Sequence, residues 1–203
     1  MSRIGMFGGS FNPVHKGHTG LVERLTDAFS LDLVYVIPTF HTPLKDNAYM
    51  VEPEHRYNMC KIAFGNNSKV SVSDIEIKRR GRSYTADTLR ELHDRHPQDE
   101  LFLIVGADSF MQLPQWHAVE EIFSLATVIT AIRGDIDYDD LLTRKKLYKD
   151  KYNANTDVLD QSIKLVSSTE IRDDIAAGND VTHLVHKEVL DYIFDNKLYG
   201  YEF

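Results

Sequence analysis

Residues 8–18 read Gly8-Gly9-Ser10-Phe11-Asn12-Pro13-Val14-His15-Lys16-Gly17-His18, and they follow directly on the short apolar run 3–7. A run of that length, stopped by glycines and followed by apolar residues at helical spacing over 17–28, reads as a buried strand, a tight turn and a helix. In an open α/β sheet the turn after the first strand is where ligands bind. Gly8 and Gly9 allow the backbone to come close to a ligand, while His15 and His18 place two imidazoles beside the exposed N–H groups of a helix start. That chemistry suits phosphate. The segment lacks both G-x-x-x-x-G-K-[ST] and G-x-G-x-x-G, so it is neither a P-loop nor a standard dinucleotide fingerprint. A turn alone needs no pair of histidines framing a Lys-Gly.

Working outward, short apolar runs recur at 33–37, 69–73, 101–105, 127–131 and 163–166, spaced widely enough for a helix between each pair. Helical patterns fill the gaps at 53–64, 86–95, 118–125 and 138–148, with apolar residues three and four apart. The expectation is an α/β fold: a doubly wound, mainly parallel open sheet with a small C-terminal helical part, as one domain over 1–203. Ser168-Thr169-Glu170 offers a hydroxyl cap to a short helix that Gly178-Asn179 stops, and 182–194 carries a further helical stripe. The polar stretch 150–161 reads as a loop.

Composition narrows the function. Lys plus Arg minus Asp plus Glu is 23 − 31 = −8, so nucleic-acid binding has no global electrostatic support and a phosphate site must be local. The run Lys78-Arg79-Arg80-Gly81-Arg82 is a local exception, and it reads as a solvated loop near a substrate phosphate. The single cysteine, Cys60, rules out an intramolecular disulfide and a cysteine zinc cluster, which favours a cytoplasmic location. No apolar run approaches the roughly 20 residues that span a bilayer, and the N-terminus is too short an apolar stretch for a signal peptide. The pairs His93/His96 and His183/His186 lack a third ligand and read as solvated faces, not metal sites. A homo-oligomer stays open.

Residues 8–18 closely resemble the GG[ST]F[DN]PxHxGH signature of bacterial nicotinate mononucleotide adenylyltransferases, within the H-x-G-H nucleotidyltransferase superfamily. The superfamily's [ST]-x-x-I-R signature has its counterpart in Ser168-Thr169-Glu170-Ile171-Arg172, preceded by Ser167. Ser83-Tyr84-Thr85 with Asp87-Thr88, Gly106-Ala107-Asp108-Ser109 and Leu113-Pro114-Gln115-Trp116 are similar to further family segments, so the likeness covers most of the chain. Two segments depart from it. His41-Thr42-Pro43-Leu44-Lys45 keeps the lysine of a common Pro-Pro-His-Lys run but replaces its second proline and its histidine. Arg133-Gly134-Asp135 stands where Arg-Pro-Gly is common.

The resemblance implies a Rossmann-like nucleotidyltransferase fold and adenylyl transfer from ATP to nicotinate mononucleotide. It assigns ATP to Gly8, Gly9, Ser10, Phe11, His15, His18, Lys45, Gly106, Asp108, Ser168 and Arg172. His15, His18 and Arg172 carry catalysis by stabilising phosphate charge, with Ser168 and Arg172 at the β- and γ-phosphates and Asp108 on the adenosine ribose. Ser83, Tyr84, Thr85 and Trp116 hold the nicotinate ring, the tryptophan by stacking. Mg²⁺ is expected with ATP, held by phosphates and water, with no protein ligand named. The alternatives are the same transfer to nicotinamide mononucleotide, and a non-catalytic nucleotide sensor. Cytidylyl or pantetheine-phosphate adenylyl transfer is disfavoured by the Ser-Tyr-Thr and Pro-Gln-Trp segments, and an RNA-binding module by the acidic balance.

Overall fold

The computed structural model describes residues 1–42, 50–134, 136–163 and 166–200. Six strands, β1 (Arg3–Gly9), β2 (Leu33–Pro38), β3 (Val70–Val72), β4 (Glu100–Ile104), β5 (Thr127–Arg133) and β6 (Thr156–Ile163), form one sheet in the order β3-β2-β1-β4-β5-β6. Every pairing is parallel. The strand order reverses between β1 and β4, which opens a crevice at their carboxyl ends.

Nine helices pack around the sheet: α1 (Lys16–Ala28), α2 (Pro53–Phe64), α3 (Ile75–Arg79), α4 (Thr85–Arg95), α5 (Ala107–Gln112), α6 (Val119–Leu125), α7 (Tyr138–Tyr152), α8 (Ser168–Ala176) and α9 (Lys187–Asp195), counted among the described residues. Because strand side chains alternate, each central strand feeds two cores. From β4, Phe102 and Ile104 join α1, α2, α8 and α9 on one face, while Leu101 and Leu103 join α4, α5, α6 and α7 on the other. Burial on both faces is what makes these runs continuously apolar in the sequence.

Three expectations need correction. The stretch 150–161 is not a loop: it holds the end of α7 and most of β6, which lies further back than the expected strand at 163–166. β6 is an edge strand, so among its described side chains only Thr156 and Val158 are buried while Asp160 and Gln161 face out, and no continuous apolar run marks it. The terminal helix begins at Lys187 rather than 182, because 182–185 form turns and a bend before it. Lys78 and Arg79 belong to α3 rather than to a loop: Lys78 pairs with Asp74 at 3.0 Å, and Arg79 Nη2 donates to Thr88 Oγ1 at 2.7 Å.

One histidine of each pair differs from a solvated face, while His93 and His183 are exposed as expected. His96 caps the end of α4, with Nε2 3.3 Å from the Tyr35 hydroxyl and Nδ1 3.3 Å from Asp99. His186 precedes α9, half-buried, its Nε2 3.0 Å from Thr19 Oγ1. Neither pair sits within one helix. No helix among the described residues is long and apolar enough to cross a membrane.

Candidate active site

β1 ends in the two glycines, and the chain then turns through Phe11, whose φ is +46°, and the cis peptide Asn12-Pro13 before entering α1 at Lys16. His15 is the residue before the helix, and its backbone N–H donates to His18 Nδ1 at 3.3 Å in a capping box built from imidazoles. With Nδ1 accepting a backbone proton, Nε2 is the donor of the His18 ring. The two rings stack with centroids 3.6 Å apart and planes 16° from parallel. Gly17 makes room for the stack, since a Cβ there would come within 3.1 Å of His15 Nδ1 and 3.3 Å of Val166 Cβ.

The loop is fastened from three directions. Arg172 Nη1 donates to the Asn12 carbonyl at 2.8 Å, and Ser168 Oγ donates to the Pro13 carbonyl at 3.1 Å. Asn12 Oδ1 accepts from the Val51 N–H at 3.2 Å and from the Tyr199 hydroxyl at 3.0 Å. Arg56 Nη1 donates to the Ser10 carbonyl at 2.9 Å. The hydroxyl cap of α8 is Ser167, whose Oγ accepts from the Glu170 N–H, which leaves Ser168 and Thr169 in the first turn facing the cleft.

A cleft of about 780 Å³ opens above this loop at the β1/β4 switch point. Gly8, Gly9, Ser10, His15, His18, Gly106, Asp108, Ser168 and Arg172 all line it, so the structure gathers most of the residues assigned to ATP. Phe11 is the exception. It is buried beneath the loop, edge-on to Phe7 and to His18 with centroids 5.4 and 5.0 Å apart, and supports the histidine from below. Lys45 and Asp135 lie outside the described residues.

A second cleft of about 400 Å³ adjoins the first, and Gly8, Gly9, Ser10, Ser109 and Trp116 belong to both walls. Its far side carries Ser83, Tyr84 and Thr85, with Thr39, Thr42, Gln115 and His117. Tyr84 is the residue before α4 and lies against the His117 ring, centroids 4.4 Å apart. Ser83 is buried, and its Oγ accepts the Phe40 N–H at 3.0 Å, so this serine fixes the wall. All four residues assigned to the nicotinate ring therefore share one cleft, and Trp116 stands where the two clefts meet.

Two residues that the sequence reading did not single out matter here. Glu76 lines the second cleft, 2% exposed, its Oε1 accepting from Thr88 Oγ1 at 2.6 Å. Burial pushes its carboxyl above the usual range, opposed by hydrogen bonds from Thr88 and Ser83 and by the charges of Arg79 and Arg56. Arg56 is 1% exposed, and burial pulls its guanidinium below the ordinary value. A signal for Arg56 existed: it shares the apolar stripe of α2 with Met59, Cys60 and Phe64, at i, i+3, i+4 and i+8, where an arginine is out of place. Among the described residues no group of three His, Cys, Asp or Glu is placed to hold a metal ion.

Comparison with known proteins agrees with this arrangement. The cytidylyltransferase-like family model matches residues 6–174. A Clostridium beijerinckii protein described as a probable nicotinate-nucleotide adenylyltransferase is 38% identical over 98% of this chain and 100% of its own length. One from Desulfitobacterium hafniense with the same description is 39% identical over 97% of this chain and 95% of its own. Among solved structures, Plasmodium falciparum nicotinic acid mononucleotide adenylyltransferase complexed with NaAD superposes with a TM-score of 0.81 at 22% identity, covering 100% of this chain and 99% of that one. This last likeness speaks to the fold. From the motif loop, the switch-point clefts and these relatives together, the chain belongs to the cytidylyltransferase-like family, in the branch of the nicotinate-nucleotide adenylyltransferases.

Proposed function

We propose that this chain is a nicotinate-nucleotide adenylyltransferase, one catalytic unit over 1–203 that transfers AMP from ATP to nicotinate mononucleotide. The observation that carries the reading is the pair of clefts sharing the wall Gly8-Gly9-Ser10: one lined by imidazoles, a guanidinium and a helix start, the other by a tryptophan and a tyrosine. ATP takes the first and the pyridine nucleotide the second, so their phosphates meet at the shared wall.

The 5′-phosphate oxygen of the mononucleotide attacks the α-phosphorus of ATP, the bond from that phosphorus to the bridging oxygen breaks, and pyrophosphate leaves with the electron pair. The nucleophile is already an anion at neutral pH, so no general base is required. The protein instead aligns two polyanions and stabilises developing charge. His18, donating through Nε2, and His15 beside it serve the α-phosphoryl oxygens, helped by the N–H groups of Gly9 and Ser10. Ser168 and Arg172, at the start of α8, serve the leaving pyrophosphate while holding the loop that carries the histidines. Lys45 is assigned to ATP as a further cation. Asp108, in the first turn of α5, accepts from the adenosine ribose. Trp116 stacks on the nicotinate ring, and Tyr84 and Thr85, at the start of α4, receive its carboxylate through backbone N–H and hydroxyl donors.

A divalent ion accompanies ATP, and we assign it as Mg²⁺. The donors of the first cleft fit an ion held by phosphates and water, because Asp108 is the one carboxylate among its described lining residues. When bound, the ion neutralises triphosphate charge. We place the enzyme in the cytoplasm, in keeping with its lone, buried Cys60.

One observation favours a second reading, the same transfer to nicotinamide mononucleotide: Glu76, the one carboxylate among the described lining residues of the second cleft, disfavours a substrate carboxylate when ionised. Pyrophosphate release with ATP and Mg²⁺, measured in parallel with the two mononucleotides, decides between them. A large kcat/KM preference for the acid is expected. Preference for the amide would move the assignment to the sister activity, and turnover with neither would leave a nucleotide sensor.

A further inference from the structure

Arg56 is a buried cation with no carboxylate within ion-pair distance among the described residues. Its donors go to three backbone carbonyls: Nε to Val51 at 3.0 Å, Nη1 to Ser10 at 2.9 Å and Nη2 to Phe40 at 3.1 Å. Each carbonyl belongs to a different piece of the site. Ser10 stands on the wall common to both clefts. Phe40 lies between that wall's neighbour Thr39, which accepts no slack because its N–H donates to the Gly9 carbonyl at 2.9 Å, and Thr42 of the second cleft. Val51 follows Met50 of the first cleft, and its own N–H donates to Asn12 Oδ1 at 3.2 Å.

Placing a guanidinium in the interior costs several kcal/mol unless its donors are satisfied. A hydrophobic residue at this point of the α2 stripe would meet the core's needs without that cost. The fork geometry of arginine, with rigid donors pointing in different directions, is what allows one side chain to hold three segments at fixed separation. Lysine, with a single ammonium on a flexible stem, lacks that fork.

We propose that Arg56 is a positioning residue for adenylyl transfer, setting the distance between the two clefts so that the acceptor phosphate meets the α-phosphorus in line. It touches neither substrate and acts through the carbonyls of Ser10, Phe40 and Val51. The inference rests on the functional reading above. Its consequence is a split between binding and turnover: each cleft keeps its own recognition groups when Arg56 is replaced, while the alignment of one substrate against the other is lost.

The test compares wild type with Arg56→Lys and Arg56→Gln, and with Leu141→Ala as a stability control, since Leu141 is buried in α7 on the opposite face of the sheet. Each is assayed well below its Tm for kcat, and for separate binding of a non-hydrolysable ATP analogue and of nicotinate mononucleotide. For Arg56→Lys we expect kcat to fall about 100-fold, the scale of an ångström-sized misplacement, with each dissociation constant changed no more than about threefold. Arg56→Gln, carried in case the lysine variant does not fold, is expected to show the same split. Leu141→Ala is expected to lower Tm without changing kcat. Arginine variants that lose Tm yet keep kcat, or that lose binding in proportion to turnover, would overturn the proposal. A wild type silent with both mononucleotides would overturn the functional reading, and with it this inference, whereas an active wild type with undiminished Arg56 variants overturns the inference alone.

Discussion

The two clefts share a wall but are built from opposite materials. The first is lined by a strand end, three helix starts, two imidazoles and a guanidinium, groups that offer N–H protons to an anion. The second places aromatic rings, hydroxyls and one buried carboxyl around a smaller space. On the proposed assignment that difference sorts an anionic chain from a flat heteroaromatic ring, and Gly8-Gly9-Ser10, common to both clefts, is where the two would meet. On this proposal recognition is local to each cleft and reaction depends on the wall between them.

The sharpest way to break this division is at the first cleft. Replacing His18 with alanine removes the Nε2 donor and the cap on α1 together, and kcat is expected to fall about 10²–10³-fold, the usual loss for a transition-state charge donor. Binding of the ATP analogue should change far less, and a variant with near-normal turnover would remove His18 from the mechanism. In the second cleft, Trp116→Ala should weaken nicotinate mononucleotide by about tenfold, in line with ~1–3 kcal/mol for an aromatic stack. Since Trp116 reaches both walls, binding of the ATP analogue tests the assignment: an equal loss for both ligands would mean that the ring does not stack there.

The smallest expected effect concerns Glu76. Burial raises its pKa in the folded state, so its contribution to stability is fully present below the ordinary glutamate range and is lost as pH rises through the raised value. Glu76→Gln removes that penalty. Its Tm relative to wild type should therefore climb with pH across the window above the ordinary glutamate range, by about 2–4 °C if on the order of 1 kcal/mol is involved. A difference in Tm that stays flat with pH would show that Glu76 does not titrate in that window.

Much of this was legible in the sequence, for identifiable reasons. The helix 53–64 was bounded correctly because Pro53 starts it and Gly65 follows it, and the first helix because the histidine motif announces its beginning. The central strands were visible because both faces are buried. β6 was not, because at a sheet edge its polar residues outnumber its buried ones. The motif residues drew attention to the first cleft, and Ser83-Tyr84-Thr85 with Trp116 to the second, although 83–85 and 116 lie far apart along the chain and are joined only by the fold. Glu76 escaped notice because α3, five residues long, is too short to show a period. Arg56 escaped because a charge on an apolar stripe reads as an interruption until its three carbonyl partners are seen.

The most direct test of the two-cleft account is a crystal structure of the protein with nicotinate adenine dinucleotide, the product that joins both halves. The adenylyl group is expected in the cleft of His18 and Asp108, the pyridine ring against Trp116 beside Tyr84 and Thr85, and the pyrophosphate bridge crossing at Gly8-Gly9-Ser10. A dinucleotide lying wholly within one cleft, or bound with its two ends exchanged, would contradict it.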